Sequence, residues 1–245
     1  MMNGKSSRSD AQFPIDLISQ RIYNKFDLVK TKEIALNQLY IPLLWELLLI
    51  VSTAFLPKQT LYLFFVFYLG ILYYFYYFYK QFSFRKLHKN FGRIITFWIP
   101  VVLTFIGLYI ADYLKTDVVP ELFPTAKPGV VQIIYHNELL PTLMYAIMMI
   151  VLKPVAEELF FRKALIKFGS KKKVFAFTVL SLLLCALTRA HGLLGIAEWV
   201  LMALPVTIAY VATRNIYISL MAHVLFEFYD NIYSVVYTIA RIFNR

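Results

Sequence analysis

Residues 144–166 read MYAIMMIVLKPVAEELFFRKALI. An uncharged apolar run leads up to Lys153, and Glu157, Glu158 and Arg162 follow it closely. Charge at the edge of such a segment is costly, so the surroundings decide what this stretch is. The chain has 245 residues, 60% hydrophobic and 18% aromatic, with only 16% charged. A soluble domain is closer to a quarter charged. With a mean hydropathy of +0.64 and repeated long apolar runs, the chain is expected to be an all-α, polytopic transmembrane helical bundle.

Seven spans are expected, within a range of six to eight, at roughly 36–56, 60–79, 94–114, 139–160, 174–190, 193–212 and 216–239. At about 1.5 Å rise per residue, each crosses or nearly crosses an apolar layer of roughly 30 Å. Residues 1–34 read as a polar cytoplasmic arm without the apolar core of a signal peptide, and 35–245 as the membrane domain. The net charge is +11, but the basic residues lie between apolar runs. That is the positive-inside pattern rather than a nucleic-acid footprint. The arm, the 80–93 loop and the 162–173 segment are rich in Lys and Arg, whereas 115–138 holds only Lys115 and Lys127. The expected product is a multi-pass cell-membrane protein with a cytoplasmic N-terminus, surrounded by lipid and not bound to nucleic acid. The aromatic stretch at 68–80, YLGILYYFYYFYK, is expected to form an interfacial belt. The lone cysteine, Cys185, excludes a disulfide framework and a cysteine metal cluster.

A charged side chain deep in a span costs roughly 2.5–3.5 kcal/mol on insertion scales, so each one needs a reason. The interior set is Glu46, Lys153, Glu157, Glu158, Arg189, His191, Glu198, His223, Glu227 and Asp230. On a helix, Glu158 and Arg162 stand one turn apart and can pair. Glu157 is turned about 100° away, free to meet water or a metal. A carboxylate in low-dielectric surroundings suits a general base. From His223, positions four and seven residues on share its stripe, which groups His223, Glu227 and Asp230. Histidine and carboxylate together make either a metal site or an acid–base pair acting on water.

In order and spacing these residues resemble the CPBP family of intramembrane proteases, which includes the CAAX-processing type II prenyl endopeptidases and the bacteriocin-processing or Abi proteins. The family carries EExxxR, FxxxH and HxxxN or HxxxD on separate membrane helices. Here Glu157, Glu158 and Arg162 complete the first motif. The second falls on Leu187 to His191, with leucine in place of phenylalanine, and the third on His223 to Glu227, with glutamate in place of asparagine or aspartate. The resemblance covers about 139–235. It implies an intramembrane peptidase in which Glu157 activates water, Arg162 orients Glu158, and His191 and His223 hold the water or a metal and help stabilise the oxyanion. A divalent metal such as zinc, on Glu157, His191 and His223, is one implied form, and a metal-free site is the other. The implied substrate is a membrane-associated peptide or protein, in peptide maturation, bacteriocin self-immunity or signalling control. The alternative is a non-catalytic relative that binds a membrane partner, such as a sensor kinase or a bacteriocin receptor. A transporter with a central charged site is a third reading, which no inverted repeat supports.

Overall fold

The computed structural model describes residues 38–78 and 80–244; the expected arm at 1–34 lies outside them. Among the described residues the secondary structure is helical. The helices are α1 (Tyr40–Phe55), α2 (Thr60–Tyr73), α3 (Phe84–Phe91), α4 (Ile99–Tyr113), α5 (Val119–Leu122), α6 (Leu139–Ile147), α7 (Lys153–Glu157), α8 (Lys171–Leu187), α9 (Leu193–Thr213) and α10 (Ile216–Phe243). Wider π-helical turns at Tyr74–Phe78, Ile94–Trp98, Leu114–Val118, Met148–Leu152 and Glu158–Ala164 extend or join several of them.

Each of the seven expected segments is therefore helical. Four continuous helices are long and apolar enough to cross a membrane: Pro57–Phe78, Ile94–Leu122, Leu139–Ala164 and Leu193–Thr213. Tyr40–Phe55 and Lys171–Leu187 are shorter, at 16 and 17 residues. Ile216–Phe243 has the length but carries His223, Glu227, Asp230 and Asn231 through its middle. The third crossing runs on to Leu122 instead of ending near 114. Large apolar side chains such as Leu47, Leu103, Ile106, Ile110 and Val236 stay exposed. A soluble fold would cover a patch of that extent, whereas lipid solvates it.

Local chemistry explains the breaks. Pro154 at the start of α7 has no N–H to return to the preceding turn, and the widened turn Met148–Leu152 lies immediately before it. Ser170 caps α8 by accepting from the Lys173 N–H, and Asn215 caps α10 by accepting from the Tyr217 N–H. Arg214, in the left-handed region at φ 51°, ends α9.

Two ends of the bundle follow from the loop contacts. At one end, Tyr217 Oη accepts from the Ser83 N–H and Lys163 Nζ donates to the Gln81 carbonyl, which gathers the basic connections. At the other, Thr60 Oγ1 accepts from the Ile134 N–H. There the extended 128–131 segment, paired through one isolated bridge from Val130 to Ala190, lies on the α8–α9 turn, with Val131 N–H donating to the Arg189 carbonyl at 2.7 Å and His191 N–H to the Gly129 carbonyl at 2.9 Å. Gly129 needs its φ of +63°, and a Cβ on Gly195 would stand 2.2 Å from the Pro128 carbonyl oxygen. Glycine is what permits the approach.

Candidate active site

Four of the charged residues of the opening stretch point inward. Lys153, Glu157, Glu158 and Arg162 are all buried, with Arg162 only 1% exposed. They meet residues delivered by three other elements: Tyr68 from α2, Arg189 from the turn after α8, and His223 and Glu227 from α10.

Arg162 sits beside Glu158, with Nη1 3.5 Å from Oε1. Its other nitrogens donate to Thr207 Oγ1 and the Ala203 carbonyl of α9. Glu158 Oε1 also faces His223 Nδ1 at 2.9 Å. Because a carboxylate only accepts, that ring nitrogen carries the proton. Nε2 of the same ring is then turned to the other two acids, 4.0 Å from Glu157 Oε2 and 3.5 Å from Glu227 Oε1. Glu157 Oε1 accepts from the Tyr68 hydroxyl at 2.8 Å and from the Arg189 guanidinium. Arg189 also donates to Tyr68. Glu227 Oε1 accepts from Lys153 Nζ. Glu227 Oε2 accepts from Asn231 Nδ2 at 3.2 Å, and Asn231 Oδ1 accepts from the Tyr145 hydroxyl at 2.7 Å.

Three buried carboxylates are thus matched by three buried cations around one imidazole. Between them lies a cavity of about 20 Å³, lined by Lys153, Glu157, Arg189, Trp199, His223 and Glu227 among others. That is room for a water molecule with several polar partners.

Of the residues expected at the site, Glu157, Glu158, Arg162, His223 and Glu227 come together. His191 stands apart. It lies past the end of α8, in the turn pinned by the 128–131 segment, with an exposed side chain whose Nε2 is 3.4 Å from Thr53 Oγ1. Among the described residues it makes no ion pair with the glutamates. Arg189, two residues earlier, reaches Glu157 instead. The α10 stripe also differs, since Asp230 is exposed and Asn231 is buried. The helix packs that side against α6, where Tyr145 waits for the amide. Tyr68 departs from the interfacial belt expected at 68–80. Its ring is buried and its hydroxyl joins the site, whereas Tyr73, Tyr76 and Tyr77 of the same stretch are exposed as a belt requires.

The residues present do not fit a divalent metal. No group of three or more His, Cys, Asp or Glu side chains is arranged to hold one among the described residues. Each carboxylate that would donate to a metal already faces a lysine or arginine, and a cation in their midst would meet three positive charges at close range.

Residues 139–229 match the family described as type II CAAX prenyl endopeptidase Rce1-like, within the stretch whose motifs resemble the intramembrane proteases. No curated protein and no solved structure matches the chain.

Proposed function

We propose that the protein is an intramembrane peptidase in which Glu157 activates a water without a metal. The observation that carries the reading is the cavity beside Glu157, large enough for one water and walled by His223 and three cations. Arg189 and Tyr68 hold Glu157 Oε1, which fixes the carboxylate as an anion and leaves Oε2, on the His223 side, to take the proton of a water. The water oxygen then bonds to the substrate's carbonyl carbon, and the carbonyl electron pair moves onto oxygen. When the tetrahedral adduct collapses, the C–N bond breaks and the proton held by Glu157 passes to the leaving amine. Glu158 and Arg162 stay outside this transfer and orient His223 through Nδ1. His191 has no part in this scheme, and its ring belongs to the contact with Thr53.

The substrate is a membrane-associated peptide or protein, cleaved in peptide maturation, bacteriocin self-immunity or signalling control. The test compares membrane and secreted peptides from cells with the wild type or Glu157→Gln. Glutamine keeps the shape and cannot act as the base, so at least one product is expected to vanish while the protein still accumulates. Identical peptide profiles would remove Glu157 from the mechanism.

A second reading has its own support. Arg189 and Tyr68 occupy Glu157 directly, and the cavity admits a water but not a peptide strand. A non-catalytic relative that binds a membrane partner, such as a sensor kinase or a bacteriocin receptor, would keep such pairs for packing. It predicts that Glu157→Gln leaves both the biological effect and the bound partner unchanged.

A further inference from the structure

Glutamate at position 227 poses a chemical problem. Where the motif carries asparagine, an amide can donate a hydrogen bond, but an ionised glutamate only accepts and would repel an oxyanion. The structure resolves this with a residue outside the motif. Lys153 lies one helical turn before Glu157, on the same face of α7. Its ammonium meets Glu227 Oε1. Glu227 is itself aimed by a chain of donors, Tyr145 to Asn231 to Glu227 Oε2.

An ammonium has three N–H donors. Glu227 takes one, and among the described residues no other acceptor is bonded to Lys153. The nitrogen instead stands over the face of Trp199, 5.6 Å from the ring centre, and the side chain lines the same small cavity as Glu157 and His223. Of the two other cations on that cavity, Arg189 lies with the base, bonded to Glu157 and Tyr68, and Arg162 lies with Glu158. Lys153 lies beside Glu227, which faces the same His223 Nε2 as Glu157 does, so base and donor both border the cavity.

We propose that Lys153 is a catalytic residue that donates to the oxyanion of the tetrahedral adduct, and that Glu227 is the positioning residue that aims it. The pair together then supplies the donor that an ionised Glu227 alone lacks. The proposal rests on the peptidase reading. In the step concerned, the carbonyl π pair becomes the oxyanion lone pair, one N–H of Lys153 hydrogen-bonds to it without transferring its proton, and collapse returns the pair to the carbonyl. A charged donor in a water-poor site is strong, and loss of one oxyanion donor typically costs about 10²–10³ in kcat.

The experiment takes the product that separates wild type from Glu157→Gln and follows its formation by purified full-length protein in detergent. Rates are expressed per folded molecule, with folding read from thermal unfolding. Lys153→Met is expected to lose about 10²–10³ in kcat with KM nearly unchanged. Lys153→Met combined with Glu227→Asn removes both charges and restores an amide donor, and it is expected to regain at least about tenfold over Lys153→Met, a fraction of that loss. A purely structural pair would give a different pattern: both single variants less stable, the double variant restored in stability, and kcat per folded molecule flat throughout. That pattern overturns the assignment while leaving the peptidase reading intact. A double variant no faster than Lys153→Met also overturns it. A folded wild type with no Glu157-dependent product removes the peptidase reading, and this assignment with it.

Discussion

The chain buries acids in two ways. Glu157, Glu158 and Glu227 are at most 4% exposed, and each faces a lysine or arginine. Glu46, in the middle of α1, is only 1% exposed, and neither of its carboxyl oxygens has a hydrogen-bond partner among the described residues. Depth of burial is therefore the same in both regions, and what separates them is convergence. The paired acids are met by side chains from α2, α7, α10 and the turn after α8, elements far apart in sequence. Glu46 is hydrogen-bonded by no side chain among the described residues. An acid inside a membrane protein points to a site when other elements contribute their own charges to it, because each such group has its own cost of leaving water.

The sharpest way to break this comparison is to remove one cation from the paired region. Arg162→Ala is expected to have the largest effect on stability. It strips Glu158 of its arginine, leaving only His223, and abandons the hydrogen bonds to Thr207 and Ala203 on α9. Breaking a buried pair on one side costs about 3–5 kcal/mol. Cellular abundance and the melting temperature in detergent should both fall, and unchanged values would show that the pair contributes little.

A weaker perturbation reaches the same region from outside. Gly195→Ala would place a methyl group 2.2 Å from the Pro128 carbonyl oxygen, so the 128–131 segment must shift. That segment holds the Arg189 carbonyl. Overpacking of this kind costs typically about 1–3 kcal/mol. Melting is expected to move by an intermediate amount, with a loss of activity per folded molecule larger than for a glycine substitution in an open loop. Gly92, around which a Cβ meets nothing, supplies that control. Equal effects at both positions would show that the segment does not steady Arg189.

The paired region was largely legible in the sequence, and its limits have physical causes. Glu157, Glu158, Arg162, His223 and Glu227 stand out because ionisable residues in apolar runs are rare, and helical spacing puts most of them on shared faces. All seven apolar segments were found as helices for the same reason. The number of crossings was not legible, since α1 and α8 are near the minimum length and α10 mixes apolar and charged residues. Lys153 and Arg189 were visible as buried charges, but their partners lie 74 and 32 residues away, which periodicity cannot reach. Tyr68 was hidden within a run of tyrosines, most of which do face outward. His191 was expected at the site because linear spacing takes no account of where a helix ends. α8 stops at Leu187, and the turn beyond it carries His191 to Thr53 while Arg189 meets Glu157.

The smallest effect is expected at Glu46, and it tests the other half of the comparison. Pro42, Glu46, Leu49 and Thr53 form the buried stripe of α1. A leucine at 46 would continue that stripe with a side chain of similar size. A buried polar group without a partner costs about 1–3 kcal/mol, so its removal is expected to leave stability unchanged or to raise it by up to that amount. Glu46→Leu should therefore match or exceed the wild type in melting temperature, with the same activity per folded molecule. Glu46→Gln keeps an unpaired polar group in place and should give no gain. Suppose instead that Glu46→Leu stays folded but loses activity. The unpaired acid would then have a chemical role of its own, and convergence of charges would no longer separate the site of this chain from the rest of its buried acids.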